Sequence, residues 1–194
     1  MVAGLDRRTA VANLMASRGD ALVVSGLGSP SWDVHAAGDV DANYYLWGAM
    51  GGAALVGLGI AMAQPERRVM VVTGDGEQLM ALGGLATIAA TGPANLEVYV
   101  LDNERYGETG MQESHTARGV DLAAVAASCG FVETVVIADQ AELTELVAGR
   151  DRPGSGPRLA VIKVTDDDPP RSLPPRDAVF LKNRFRAHLG LAPN

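Results

Sequence analysis

The chain has 194 residues, a formal net charge of −7 and a hydrophobic fraction of 47%. That length suits one domain, 1–194, with a closed core. The acidic balance, with no basic cluster beyond short pairs such as Arg67-Arg68, argues against nucleic acid as the main partner.

No apolar run reaches the roughly 20 residues a membrane-spanning helix needs, so no membrane association is expected. Met1 to Thr9 carries Asp6, Arg7 and Arg8 with no apolar segment behind them, unlike a secretory signal. The lone cysteine, Cys129, reads as core packing in a reducing cytoplasm. Many of the 23 glycines crowd between Gly26 and Gly92, where tight turns and close backbone approach are expected.

Taken in order, Arg7 to Ser17 reads as a helix, with Val11, Leu14 and Met15 at helical spacing. Ala21 to Val24 is a short strand, and Ser29 to Asn43 is too mixed for a core element. Met50 to Met62 is small and apolar all round, as in a buried helix. Arg68 to Thr73 is a strand stopped by Gly74-Asp75-Gly76, followed by a helix from Glu77 to Ala90. Leu96 to Leu101 is a strand, and Asp102 to Gly119 a long polar loop. Asp121 caps a helix to Ser128, Phe131 to Val136 is a strand, and Ala141 to Ala148 a helix after Asp139. Leu159 to Val164 is a strand, Asp166 to Pro175 an acidic, proline-rich turn, and Ala178 to Leu189 a last helix. This alternation implies an α/β fold: a three-layer domain with a mostly parallel central sheet and helices on both faces.

Ligands of such sheets bind at the carboxyl ends of the strands. Two loops there carry unusual chemistry, Gly74 to Gln78 and Asp102 to Gln112. In Gly74-Asp75-Gly76 a carboxylate sits at a helix N-terminus, a place that favours anions. A phosphate and Asp75 can share that place when a hard cation such as Mg²⁺ lies between them. A plain helix cap explains Asp75 equally well by itself. Asn103 follows Gly76 after 26 residues, one helix, one turn and one strand, which returns the chain to the same sheet edge. Its amide oxygen can then join Asp75 on the cation.

A Gly-Asp-Gly turn paired with a distant strand-end Asn resembles the thiamine-diphosphate-dependent enzymes, specifically their diphosphate-binding domain or subunit. The resemblance implies thiamine diphosphate and Mg²⁺ as cofactors, with the metal held by Asp75, Asn103 and the main chain of Arg105. Asp102 stands where that family usually has a second Asn. The family also places a bulky apolar residue about 25 positions before the metal Asp, wedged between the cofactor's two rings; Met50 lies 25 before Asp75. By the same resemblance the main chain of Gly48 accepts a hydrogen bond from the pyrimidine's amino group.

From about Asn43 to Phe131 the chain is most similar to the separate β-type subunits of sulfopyruvate decarboxylase and the matching half of phosphonopyruvate decarboxylase. Asn43-Tyr44-Tyr45 and the loop containing Asn103, Tyr106, Gly107, Thr109, Gly110 and Gln112 carry the match. Glu77, Glu104 and Glu113 stand where Ser, Gly and Pro are common. Glu77 and Glu113 thereby add negative charge near the expected site, against a doubly anionic substrate.

The resemblance implies a 2-oxo acid decarboxylase whose cofactor also needs a glutamate against its pyrimidine ring. That residue belongs to a pyrimidine-binding domain type for which this chain has no room. A separate partner subunit is therefore expected to supply it, in a heterotetramer or larger assembly, since symmetric oligomers predominate. His115, just past the site loop, is a candidate proton shuttle or substrate ligand. His35 is a weaker one, and His188 reads as a solvated terminal residue. Asp166-Asp167-Asp168 reads as a solvated loop. A carboligase, and a non-catalytic subunit of the same fold, are the alternatives. A dinucleotide-binding reading of Gly51-Gly52 and Gly57-Leu58-Gly59 fails, because those glycines are expected inside a helix.

Overall fold

The computed structural model describes residues 4–149 and 154–192. Residues 1–3 of the expected non-signal N-terminus, and the ends of the expected 1–194 domain, lie outside the described residues.

Six strands form one sheet in the order β2-β1-β3-β4-β8-β7, every neighbouring pair parallel. They are β1 (Leu22–Ser25), β2 (Asn43–Tyr45), β3 (Val69–Gly74), β4 (Leu96–Asp102), β7 (Glu133–Ile137) and β8 (Arg158–Lys163). The helices are α1 (Arg7–Ala16), α2 (Ser29–Ala36), α3 (Ala53–Ala63), α4 (Asp75–Met80), α5 (Gly83–Thr91), α6 (Leu122–Cys129), α7 (Gln140–Ala148) and α8 (Ala178–His188).

The strand period of two divides the core into two faces. Leu22, Val24, Val69, Val71, Val98, Val100, Leu159 and Val161 point one way, into a cluster with α3, α5 and α6. Val23, Met70, Val72, Tyr99, Leu101, Ala160 and Ile162 point the other way, onto α1 and α7. This is the expected three-layer α/β arrangement, and among the described residues its main sheet is wholly parallel.

Several local expectations are corrected. Ser29 to Asn43 contains α2 and ends on the first residue of edge strand β2. Pro30 starts the helix where a missing N–H costs nothing, and Trp32, Asp33 and Val34 are buried. The helix expected from Met50 begins at Ala53, because Gly51 adopts φ +94°, which a right-handed helix cannot continue. Met50, Gly51 and Gly52 thus precede that helix instead of lying inside it; Gly57 and Gly59 do lie inside. The helix expected over Glu77 to Ala90 starts at Asp75 and divides after Met80. Gly83 and Gly84 follow the break, and a Cβ on Gly84 would crowd Leu55 of α3 at 3.3 Å. The long loop after β4 is folded too: β5 (Arg105–Tyr106) pairs antiparallel with β6 (Gln112–Glu113).

The order places a switch point between β1 and β3, whose following connections diverge toward α2 and α4. A crevice forms at such a point, outside the carboxyl ends of the strands.

Candidate cofactor site

The crevice is lined by Leu27, Ser29 and Pro30 after β1, and by Gly74, Asp75, Gly76 and Glu77 after β3. Asn103, Arg105, Tyr106, Gly107, Glu108 and Thr109 line it after β4, with Val164 after β8 and Met50 ahead of α3. Of the expected cofactor and metal ligands Gly48, Met50, Gly74, Asp75, Gly76, Glu77, Asn103, Arg105, Tyr106 and Gly107, all but Gly48 line this cleft, and the proton-shuttle candidate His115 does not. Gly48 is exposed at φ +71°. His115 is exposed, its Nδ1 3.4 Å from the Tyr106 hydroxyl.

Asp75 opens α4 and is only 2% exposed. Ser114 Oγ donates to its Oδ2 at 2.5 Å, and Thr116 Oγ1 lies 3.2 Å from the same oxygen. Burial is the main force on its pKa, with the Asp102 carboxylate adding to it and the Ser114 hydroxyl opposing; the net result is a pKa pushed up to about 6. Among the described residues no Lys or Arg side chain is a partner of this carboxylate.

Asn103 ends the neighbouring strand, its Oδ1 turned into the loop to accept from Arg105 N at 3.1 Å. Among the described residues no three His, Cys, Asp or Glu side chains gather as a metal centre. A cation here would rest on one carboxylate and neutral oxygens, which suits Mg²⁺ sharing a site with phosphate and water. The N-terminus of α2 carries no side-chain cap, and its Gly28 stands at φ +79°. Its first-turn N–H groups therefore remain available to an anion.

Asp102, the departure from the family's Asn, has a structural answer. It is 2% exposed, and Lys163 Nζ, its register partner on β8, lies 2.9 Å from Oδ2. Thr116 Oγ1 donates to Oδ1 at 2.8 Å, and Glu104 N to the same atom at 3.1 Å. Lys163 also reaches Glu104 Oε1 at 2.7 Å. Lys163 loses by burial but gains more from these two carboxylates, so its pKa is raised.

The added acidity is largely answered as well. Glu113 pairs with Arg105 at 3.4 Å and Arg118 at 3.5 Å. Glu77 is 4% exposed and accepts from Thr73 Oγ1 at 2.9 Å and Gly51 N at 3.3 Å. Burial outweighs those bonds and raises its pKa. Both added carboxylates thus have partners of their own around the site.

Three contributors were missed in the sequence. Ser114 and Thr116 flank His115 and point inward where it points out. Arg7, in the first turn of α1, is 5% exposed yet lines the cleft. Its Nε donates to the fully buried Asp33 at 2.5 Å, while Nη2 lies buried with no acceptor among the described residues. No spacing rule points to Arg7, because only the sheet order carries α1 to this edge. His35 is elsewhere, 2.7 Å from Ser172 Oγ. His188 lies exposed beside Arg67, and Cys129 packs against the core. Asp167 and Asp168 are exposed, with Asp166 partly so.

Fold and cleft define the class: an all-parallel α/β domain with its ligand crevice at a switch point. The family follows from comparison with known proteins. The family model described as thiamine pyrophosphate enzyme, C-terminal TPP binding domain, matches residues 34–162. The chain belongs to this family.

Among its relatives, sulfopyruvate decarboxylase subunit beta of Methanothermobacter thermautotrophicus is 45% identical over 127 residues, 66% of this chain and 68% of that one. Phosphonopyruvate decarboxylase of Streptomyces hygroscopicus is 46% identical over 129 residues, 66% of this chain but 32% of the relative. The matched segment thus spans about two thirds of the former and one third of the latter. A thiamine diphosphate-dependent 4-hydroxybenzoylformate decarboxylase from Rhodococcus jostii shares the fold, with TM-score 0.69 and 18% identity over 87% of this chain and 34% of its own. Among the described residues no helix is long and apolar enough to cross a membrane.

Proposed function

We propose that this chain is the diphosphate- and Mg²⁺-binding subunit of a thiamine-diphosphate-dependent 2-oxo acid decarboxylase in the cytoplasm. A separate pyrimidine-binding subunit supplies the activating glutamate. The observation that carries this reading is Asp75, buried at the β3–α4 junction in one cleft with Asn103 just past the end of the adjacent strand β4. The names of the relatives, several of them a decarboxylase β subunit, support the reaction class and the need for a partner.

In this reading Asp75, Asn103 and the Arg105 carbonyl hold Mg²⁺, while the first turns of α2 and α4 with Gly74, Gly76 and Gly107 receive the diphosphate. Met50 would pack against the bound cofactor, the Gly48 carbonyl would accept a hydrogen bond from it, and Glu77 and Tyr106 would shape the walls. Bound thiamine diphosphate supplies the carbon nucleophile and the electron sink that loss of carbon dioxide requires. The chain's own residues bind, orient and exclude water, and His115 handles a proton at the mouth. With Glu113 paired to arginines, sulfonate- and phosphonate-bearing 2-oxo acids come first in a substrate screen. The assembly is a heterotetramer or larger.

Calorimetric titration with thiamine diphosphate, with and without Mg²⁺, tests this on the chain alone, with its partner, and with Asp75→Ala. Metal-dependent binding that needs the partner and disappears in the variant is expected. No binding to the assembled pair would remove the enzyme reading.

A further inference from the structure

Resting on the assignment of Asp75 as a cation ligand, we propose that Ser114 and Thr116 are positioning residues. They hold Asp75 Oδ2 so that the carboxylate engages a cation through one oxygen only. In this way they select Mg²⁺ over Ca²⁺.

Both side chains are buried, while His115 between them is exposed. The backbone leaving β6 therefore turns two hydroxyls inward. Their oxygens make four contacts: Ser114 to Asp75 Oδ2 at 2.5 Å, and Ser114 to Thr116 at 2.8 Å. Thr116 reaches Asp102 Oδ1 at 2.8 Å and Asp75 Oδ2 at 3.2 Å. Two hydroxyls have only two protons for these contacts. The shortest contact assigns the Ser114 proton to Asp75, and the Thr116 proton goes to Asp102, since a carboxylate is a stronger acceptor than the equally distant Ser114 hydroxyl. Asp102 is fixed from its other side by Lys163. The far end of the chain of bonds is thus anchored in β4 and β8, and its near end stops the Asp75 carboxylate from rotating.

The chemical consequence concerns how the carboxylate can bind. Ca²⁺ accepts a carboxylate through both oxygens in flexible geometry, whereas Mg²⁺ demands near-ideal octahedral ligands and takes one oxygen from each. With Oδ2 committed to Ser114, a cation meets Oδ1 with no hydroxyl to displace. Two-oxygen binding would make Oδ2 share its electron density between the cation and the Ser114 hydroxyl and would turn the carboxylate from the orientation that bond sets. The pair thus disfavours the larger ion by its commitment, without touching the metal.

The test is calorimetric titration of Mg²⁺ and Ca²⁺, with thiamine diphosphate present, into the chain with its partner. Wild type, Ser114→Ala, Thr116→Val and Thr116→Ser are compared. Ser114→Ala is expected to lose about 10- to 100-fold in Mg²⁺ affinity, the usual cost of removing a hydrogen-bond partner of a metal ligand. Its Ca²⁺ affinity should fall less, so the Mg²⁺/Ca²⁺ ratio drops. Thr116→Val is expected to show a smaller drop, and Thr116→Ser, which keeps the hydroxyl, to retain the wild-type ratio. A merely structural role would weaken both ions alike, so an unchanged ratio in Ser114→Ala and Thr116→Val overturns the proposal.

Should neither variant fold, a wild-type structure with Mg²⁺ and thiamine diphosphate decides it. Coordination through Oδ1 with Ser114 still on Oδ2 is expected, and a cation on Oδ2 or on both oxygens overturns the proposal. Failure of the parent reading looks different: the wild type itself shows no metal-dependent binding, or Asp75→Ala binds as well as wild type.

Discussion

Gly51 N donates to Glu77 Oε1 across 3.3 Å, joining the turn that carries Met50 to the helix that begins at Asp75. The other oxygen, Oε2, accepts from Thr73 Oγ1 at 2.9 Å. Gly26 makes room for this link, since a Cβ there would stand 1.7 Å from Oε2. One buried side chain therefore ties the β1, β3 and α3 approaches of the cleft together. Glu77→Ala leaves two buried donors without an acceptor and is expected to cost about 2–3 kcal/mol in urea denaturation. Glu77→Gln should also destabilise, because its amide nitrogen would face one of those donors. A loss within about 0.5 kcal/mol for the alanine variant, the range of an ordinary surface change, would count against this role.

Asp75 gives the site a pH dependence. Its folded pKa of about 6 lies above the ordinary 3.8, so between these values the folded chain keeps a proton that the unfolded chain has released. The stabilising contribution is complete below the ordinary value and is lost as pH rises toward about 6. Mg²⁺ must displace that proton below pH 6, so its affinity should rise with pH up to about 6, with proton release, and then level off. Titrations in buffers of different ionisation enthalpy would detect the proton. A flat affinity from about pH 5 to 7 would remove Asp75 from the ligand set.

Asp75→Asn separates stability from binding. The amide removes a buried charge that lacks a cation, so the metal-free variant should melt at or above wild type near neutral pH. The Mg²⁺-dependent rise in melting temperature seen with thiamine diphosphate should vanish. A variant that melts lower and still responds to Mg²⁺ would reverse both halves of the argument.

Lys163→Met leaves Asp102 buried without its charge partner. The Lys163 side chain is 26% exposed and that of Asp102 3%, so the cost should approach that of breaking a buried pair, about 3 kcal/mol. Pairing Lys163→Met with Asp102→Asn, the residue common in the family at that place, should recover most of it. Denaturation of both variants measures the coupling, and additive losses would mean that the two residues act independently.

His115→Gln should lower kcat of the assembled enzyme while leaving the melting temperature within about 2 °C of wild type, because the ring is exposed. Unchanged kcat would free His115 from any part in the reaction.

Much of this architecture is legible in the sequence because period and punctuation agree. β-branched runs ending at Gly74 and Asp102 mark the sheet edge, and Asp121, Asp139 and Asp177 cap the helices that follow them. What was illegible has physical causes. α2 is two turns long, and β2 is a three-residue edge strand, too short for either period to register. The β5–β6 hairpin relies on Glu104 and Met111 at φ +61°, conformations no propensity favours in those residues. In the site, Asp75, Asn103 and Met50 follow from spacing along one chain path. Ser114, Thr116 and Lys163 act through neighbours that only the folded register supplies, and Lys163 opposite Asp102 is a product of strand order.

The cleft draws on residues from Arg7 to Val164, so it has no existence in any half of the chain. Pairings between strands distant in sequence come late and slowly in parallel sheets, and this crevice closes only once β8 has docked beside β4. Ligand held there is expected to stabilise contacts made late in folding. It should therefore slow unfolding while leaving the refolding rate nearly unchanged. Bound cofactor would then act on the protein's lifetime more than on its birth.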